Sequence, residues 1–405
     1  MTEFRTVIAS GESWSAVAEG CIRDLGSVDG ADNLGFLYLA DSLAAAAPQI
    51  YRVLRDKTGI DHWVGSVGIG VFGGTEEHFD RPAAAVMTAS FPENAFCVIG
   101  DANDQESAFS EGLTFGIVHA DPTNPQVLGD LTGLAEETSG FLVGGLSSSR
   151  DAYLQVADGI VDGGVSGVLF APEVGVVTGL TQGCVPVGEA HTVTEGAENV
   201  VATLDGRPTL DVLKEDVGEL LARDLRRAAG YIHAALPLAG SDTGEYMVLN
   251  LMAVDPARGW VVIGDTVEPG DRLMFVRRDP ESARDDLRTM VTNLKGRLPG
   301  PPRGGVYFSC VARGPSMFGA EGAEMALIRG GLGSVPLVGF SCSGEISNAR
   351  LYGYTGVLAL FTCPLSLLSM LFCVERRTAW DPRASQGSLR ASASGMRRAS
   401  LRSIG

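Results

Sequence analysis

The feature that most constrains the fold is a strand–helix–strand pattern that occurs twice in the chain. In the first copy, GFLYLAD precedes an Ala-rich helical segment and HWVGSVGIG follows it. In the second copy, GVYFSCVARG and VPLVGFSCSG occupy the same order in the C-terminal half. Each apolar run has the length of a buried strand and ends in glycine or small polar residues. The sequence therefore predicts two related α/β segments whose strands end at polar edges.

A hairpin near residue 255 excludes an all-parallel sheet. The strand-like runs YMVLNLMAV and WVVIGDTV are joined by the turn-forming residues 255–259. Strands connected this directly must be antiparallel, because parallel neighbours need a long crossover. We therefore predict a mixed α/β (α+β) fold of two similar domains, with mixed, largely antiparallel sheets flanked by helices.

The domain boundary is predicted just after residue 204, where strand-like runs give way to helical spacing of apolar residues. Pro208 suits the first turn of this helix. We expect one domain at residues 1–204 and a second at 205–362. Residues 363–405 are rich in Ser, Ala and Arg, and this basic tail is predicted to be disordered.

Composition restricts the class of function. The 405 residues carry a formal net charge of −18, which repels phosphate backbones and argues against nucleic-acid binding. The seven cysteines include no C-x-x-C pair, so they indicate reduced thiols rather than a zinc site or a disulfide framework. No signal peptide is evident at the N-terminus. We expect a cytoplasmic protein without a bound metal.

Residues 351–374 contain no charged side chain and are therefore long enough to be considered as a membrane span. A second interpretation divides this stretch into a last β-strand, YTGVLALF, and a short apolar helix after Pro364. The glycines at 353 and 356 favour the division. We do not expect the tail to hold the protein at a membrane.

The run PLVGFSCSGEIS raises the question of chemistry, because a buried strand ends in hydroxyls, a thiol and a carboxylate. A G-x-S-x-G nucleophile elbow requires a second glycine, and Ser343 stands in its place. Two interpretations remain besides a simple turn. A thiol enzyme would use Cys310 or Cys342, and a binding site would use the small residues to admit a ligand close to the backbone.

Arg313 favours the binding interpretation. In FSCVARGPSMFG, this arginine and Gly314 follow a strand and precede a helix, where a guanidinium can bind a carboxylate in two places. Together with Glu345 it would suit a zwitterion such as an amino acid. The alternative is that Arg313 forms a structural salt bridge with an Asp or Glu of this acidic chain.

Longer stretches resemble the FIST family, which consists of an N-terminal and a C-terminal FIST domain. They include ADNLGFLYLAD, GFLVGGLSSSR, NLMAVDPARGWVVIGDTVEPGDRLMFVRRDPESARDDL, PPRGGVYFSCVARGPSMFG and VPLVGFSCSGEIS. The resemblance covers nearly all of residues 4–361. It implies an intracellular sensory protein that binds a small ligand such as an amino acid and acts with a histidine kinase or chemotaxis receptor. We expect that partner to be a separate protein, and we do not expect this chain to be an enzyme.

The polar strand ends define the predicted ligand-binding site. The residues are Ser147, Ser148, Cys310, Arg313, Gly314, Ser341, Cys342, Gly344 and Glu345. No cofactor is expected. Some FIST relatives are described as haem-binding nitric-oxide sensors, so the alternative is haem b with His62 or His233 as the axial ligand.

Overall fold

The computed structural model describes most of the first 363 residues, and these lie in one compact unit. The described ranges are 4–28, 30–92, 94–100, 114–222, 230–238 and 246–363, with the side chains of 219–222 left out. The predicted tail therefore lies outside the described residues, apart from its first residue.

Seven α-helices occur within the described ranges. They are α1 (Trp14–Leu25), α2 (Ala47–Thr58), α3 (Val127–Thr138), α4 (Thr209–Ala222), α5 (Pro280–Arg297), α6 (Gly314–Phe318) and α7 (Ala323–Leu332). A 3₁₀ helix, Asp41–Ala46, precedes α2. Asp279 caps α5 as the sequence predicts, since its side chain accepts a hydrogen bond from Ser282 N at 2.9 Å.

The strands form four sheets. In spatial order from one edge to the other, sheet 1 contains Arg5–Ser10, Ala83–Ala89, Leu34–Ala40, His62–Gly68, Leu154–Ala157 and Ile160–Asp162. Sheet 2, again from one edge to the other, contains Arg350–Tyr352, Glu345–Ser347, Phe141–Leu146, Phe115–Ala120, Val165–Phe170 and Phe96–Ile99. Sheet 3 contains Val176–Gln182, Thr355–Phe361, Gly304–Cys310, Leu337–Cys342, Gly70–Gly73 and Glu76–Phe79.

Sheet 4 is larger and is built from the segments around the predicted domain boundary. Its main path contains Tyr246–Leu249, Ile232–Pro237, Arg272–Arg278, His191–Ala197, Val200–Leu204, Trp260–Ile263 and Leu251–Asp255. Cys184–Pro186 pairs with the third of these strands and Arg207–Pro208 with the fifth. The strands on either side of residues 255–259 are antiparallel, as predicted. The mixed α/β fold class is therefore confirmed.

Sheets 1, 2 and 3 are three copies of one arrangement. Each has a central pair of parallel strands joined by a helical connection, with an antiparallel strand on either side. In each copy the hairpin that follows the second parallel strand leaves its own sheet. Residues 70–79 join sheet 3, 154–162 join sheet 1, and 345–352 join sheet 2. These exchanged hairpins link the three sheets into one interdependent body.

One glycine in each copy permits the close approach of the parallel strands. A Cβ at Gly65, Gly144 or Gly339 would lie 1.7 Å from a backbone carbonyl oxygen of the facing strand. Such a separation is far below any van der Waals contact, so only glycine can occupy these positions. The V-G dipeptide shared by HWVG, FLVG and PLVG is thus a packing requirement of the repeated unit.

The inner faces of the three sheets share one core. Tyr38, His119 and Phe308 occupy equivalent positions, and their ring centroids lie 5.5, 6.3 and 6.1 Å apart. Tyr38 Oη and His119 Nε2 form a hydrogen bond of 3.1 Å. Burial lowers the pKa of His119 to about 3, so the imidazole is neutral at physiological pH. Helices α1, α2, α3, α5 and α7 pack on the outer faces.

The structure shows the first part of the uncharged stretch 351–374 as a β-strand, which agrees with the interpretation that divides this stretch. Thr355–Phe361 is a buried strand that pairs on both sides within sheet 3. Residues 364–374 lie outside the described ranges. No described helix is long and apolar enough to cross a membrane.

Candidate functional site

The polar strand ends of the two halves meet directly. Leu146 N donates to Gly344 O at 2.8 Å, and Ser343 N donates to Leu146 O at 3.0 Å. Ser148 Oγ donates to the carbonyl oxygen of Ser341. The structure therefore brings the predicted edges of sheets 2 and 3 together, through hydrogen bonds that the two edges make to each other.

Sheet 1 contributes the third edge at the same place. Ser147 Oγ and Ser66 Oγ are 2.8 Å apart, and Ile69 N donates to Ser148 Oγ at 2.9 Å. Both serines of the 147–148 pair are fully buried. Strand ends from all three copies of the repeat thus converge on one polar cluster.

Glu345 follows the strand end at Cys342 and is fully buried. Its Oε2 accepts hydrogen bonds from Thr355 Oγ1 at 2.6 Å and Thr355 N at 3.0 Å. Cys342 Sγ donates to Glu345 Oε1 at 3.2 Å. Burial raises the pKa of Glu345 to about 7, and the hydrogen bonds from Thr355 and Cys342 oppose that rise. This carboxyl group therefore titrates near neutral pH.

Arg313 forms a buried ion pair with Glu324. Its Nε donates to Glu324 Oε1 at 2.9 Å, and Nη2 lies 2.8 Å from the same oxygen. The two side chains are 0% and 1% exposed. Tyr307 Oη and Ser309 Oγ also donate to this carboxylate, at 2.6 Å and at 3.0 and 3.1 Å. Arg313 thus forms the structural salt bridge that the sequence offered as an alternative. Glu324, its partner, is a residue of the cluster that was not predicted from the sequence.

The remaining predicted residues are buried beside this pair. Gly314 begins α6 with φ of +56°, and a Cβ there would lie 3.0 Å from Phe79 Cζ, so glycine is required. Cys310 faces Cys342 in the parallel register of sheet 3. Burial raises the pKa of both thiols well above the usual value, which keeps them protonated. Contact between a ligand and any of the nine predicted residues stays a prediction.

A cleft of about 750 Å³ opens on the other side of the strand-end hairpin, residues 345–352. The outer residues of this hairpin form one wall, strand Val176–Gln182 forms another, and α5 completes it. Its charged side chains are Asp286, Arg297 and Arg350. Asp286 Oδ2 is fixed by hydrogen bonds from Thr181 Oγ1 and Gln182 N, both 2.7 Å long.

The comparisons with known proteins agree with this architecture. The FIST N domain model matches residues 33–207, and the FIST C domain model matches residues 209–348. The chain belongs to the FIST family. FIST domains are associated with sensory or signalling roles and with small-ligand binding.

Curated relatives of this FIST protein occur in mycobacteria. Uncharacterized protein Rv0628c of Mycobacterium tuberculosis (strain H37Rv) is 32% identical over 324 residues, which cover 74% of this chain and 83% of the relative. Uncharacterized protein Mb0898c of Mycobacterium bovis is 32% identical over 361 residues, covering 79% and 92% respectively. The similarity therefore extends over most of both proteins.

The two histidines of the haem alternative have different environments in this FIST protein. His62 is half exposed, and its Nδ1 is 2.7 Å from Asp158 Oδ2. His233 is buried in sheet 4, with its ring centroid 4.3 Å from that of Tyr354. A carboxylate on one ring nitrogen is the usual second contact of a metal-binding histidine, so His62 fits an axial ligand better than His233. The described residues contain no group of three or more His, Cys, Asp or Glu side chains that could hold a metal ion.

Proposed function

We propose that this FIST protein is a cytoplasmic sensor that binds a small zwitterion such as an amino acid and catalyses no reaction. The observation that carries the proposal is the two-sided hairpin 345–352. Glu345 projects into the buried strand-end cluster, while Ser347, Asn348 and Arg350 line the open cleft. A ligand in the cleft would therefore contact the hairpin that also carries Glu345 into the strand-end cluster.

The charges of the cleft suit a zwitterion. The Asp286 carboxylate can accept hydrogen bonds from an ammonium group, and the guanidinium groups of Arg297 and Arg350 can bind a carboxylate. Phe141 and Met290 supply apolar surface for a side chain. This combination of apolar surface and a few polar groups is typical of small-molecule sites.

Signalling would follow from a population shift. The cleft is bounded by segments of both family matches, residues 178–182 in one and α5 in the other. A ligand that contacts both would favour the conformation in which they lie close together. A separate partner, such as a histidine kinase or a chemotaxis receptor, would bind that conformation preferentially.

Replacement of Arg350 by alanine should weaken ligand binding without destabilising the fold. Its side chain is exposed at the cleft, so its loss removes a carboxylate contact and little packing. We expect about a tenfold loss of affinity or more. The measurement is isothermal titration calorimetry, with amino acids first screened by thermal shift on the wild-type protein.

The matched control is Arg288→Ala. Arg288 is an exposed arginine on α5 that pairs with Asp285 at 2.7 Å and does not line the cleft. Its loss should leave the affinity unchanged. If no amino acid binds the wild-type protein, or if both variants lose affinity equally, the zwitterion site in the cleft is wrong.

The thiol-enzyme alternative makes a different prediction about Cys310 and Cys342. Both are buried and held protonated, so neither should react quickly with iodoacetamide at neutral pH. Peptide mass spectrometry at increasing reaction times measures each rate, and exposed Cys363 serves as the internal reference. Faster labelling of either buried thiol than of Cys363 would support a catalytic cysteine instead.

The haem alternative is tested by the visible spectrum. Haem b held by His62 would supply an iron centre for binding a diatomic gas. A Soret band after reconstitution that is lost in His62→Ala would favour this alternative over the zwitterion sensor. A protein that remains colourless after reconstitution would remove it.

A further inference from the structure

Arg313 has buried hydrogen-bonding capacity that its ion pair does not use. Nε and Nη2 both face Glu324 Oε1, at 2.9 and 2.8 Å. Nη1 is buried and has no hydrogen-bond partner among the described residues. Unsatisfied buried N–H groups are costly, and a bound water or ion is one way in which native proteins satisfy them.

A second guanidinium lies close by. Arg278 ends its strand of sheet 4, and its Cα partner is Cys184. Its Nη2 donates to the carbonyl oxygen of Ala312, the residue before Arg313. The Nε of Arg278 is buried and has no partner within the described part of the chain.

Both guanidinium groups lie near Gly183 and Tyr354. A Cβ at Gly183 would lie 3.5 Å from Arg313 Nη1 and 2.7 Å from Tyr354 O. The Arg278 Cζ atom lies 5.7 Å from the centroid of the Tyr354 ring. Both arginines are also close enough to Cys184 to affect its thiol. Burial raises the pKa of that thiol, and the positive charge of each arginine opposes the rise. The lack of a side chain at Gly183 thus leaves a position beside buried Arg313 Nη1 that a Cβ would fill.

The charge balance at this place favours an anion. Glu324 neutralises Arg313, and Glu345 is largely protonated below neutral pH because burial raises its pKa to about 7. The Asp279 carboxylate is engaged as the cap of α5. No carboxylate in the described ranges lies within 4.0 Å of Arg278, which leaves one positive charge without a close counter-charge there.

We propose that Arg278 and Arg313 together bind a small oxyanion, a carboxylate or a phosphate, beside Gly183 and Tyr354. Arg313 Nη1 and Arg278 Nε would donate to it, since planar guanidinium groups match the oxygens of such anions. Buried His233 packs against the ring of Tyr354 and closes this side of the site. The site is separate from the cleft, and the proposal does not depend on the zwitterion sensor.

Equilibrium dialysis with radiolabelled acetate and, separately, inorganic phosphate tests the proposal at constant ionic strength set with sodium chloride. We expect saturable binding of one equivalent per chain for at least one of the two anions. Arg278→Gln should weaken it by at least about tenfold. Arg277→Gln is the matched control, because the neighbouring side chain on a strand points to the opposite face and Arg277 is 55% exposed.

Arg278→Lys and near-ultraviolet circular dichroism separate binding from folding. A folded Lys variant should retain part of the affinity, because the charge remains while the planar donor pair is lost. The Arg350→Ala variant of the cleft should bind the anion normally. Absence of saturable binding to the wild-type protein, equal loss in the Arg277 and Arg278 variants, or loss in the Arg350 variant would each overturn the proposal.

Discussion

Replacement of Gly339 by alanine should prevent the protein from folding. The new Cβ would lie 1.7 Å from the carbonyl oxygen of Tyr307, in the central parallel pair of sheet 3. Backbone cannot yield as the end of a flexible side chain can, so the two strands would have to separate. We expect a loss above about 4 kcal/mol, which is comparable with the whole stability of many domains. Soluble yield and thermal unfolding by circular dichroism measure the effect.

The three-copy repeat extends this expectation to Gly65 and Gly144, which stand at the equivalent positions of sheets 1 and 2. Gly330→Ala is the matched control, because this glycine lies inside α7 and a Cβ there would meet nothing within 4 Å. That change should stabilise the protein by about 0.5–1 kcal/mol. A Gly339→Ala protein that melts at the wild-type temperature would show that the strands do not approach as described.

Much of the repeated unit could be predicted from the sequence. Apolar runs with glycine at a fixed place are local signals, so the strands around HWVG, FLVG and PLVG could be identified, together with their polar ends. The partners of these strands could not. The apolar runs of residues 166–184, joined through Pro172 and Glu173, predict a strand pair, but Val165–Phe170 lies in sheet 2 and Val176–Gln182 lies in sheet 3.

That prediction was wrong because hydrophobic periodicity indicates that a strand is buried but does not indicate which strand pairs with it. Pairing is especially hard to predict in this fold, because hairpins are exchanged between sheets and residues close in sequence then belong to different sheets. The sequence pattern indicates two copies of the repeat, and the third is not evident for the same reason. The segment FGIVHAD has the apolar pattern of an ordinary strand. Only its parallel pairing with Phe141–Leu146 shows that it is equivalent to the first strand of the other two copies.

The candidate site shows a similar division. The nine predicted residues are all buried, and hydrogen bonds link the strand ends that carry them. Glu324 was missed because a glutamate in the first turn of a helix usually faces water, and only the fold shows that α7 turns it towards sheet 3. The cleft residues were missed because four separated segments of the chain supply them.

Replacement of Arg313 by methionine should strongly destabilise the protein, and this result would distinguish the ion pair from a free ligand-binding arginine. The change leaves the Glu324 carboxylate buried without its counter-charge. Removal of one partner of a buried pair typically costs about 3–5 kcal/mol, because the remaining charge is no longer compensated. Urea denaturation monitored by tryptophan fluorescence measures the free energy of unfolding.

A second substitution separates the charge from the packing. In the Arg313→Met, Glu324→Gln double variant no uncompensated charge remains, so most of the loss should be recovered and the two changes should not be additive. Arg207→Met is the surface control, because Arg207 and Glu215 are 53% and 65% exposed and solvent screens such a pair, so its loss should change the stability little. If Arg313→Met is as mild as the surface control, the ion pair with Glu324 does not stabilise the fold. The burial of Arg313 in the strand-end cluster would then favour a role in binding an anion there.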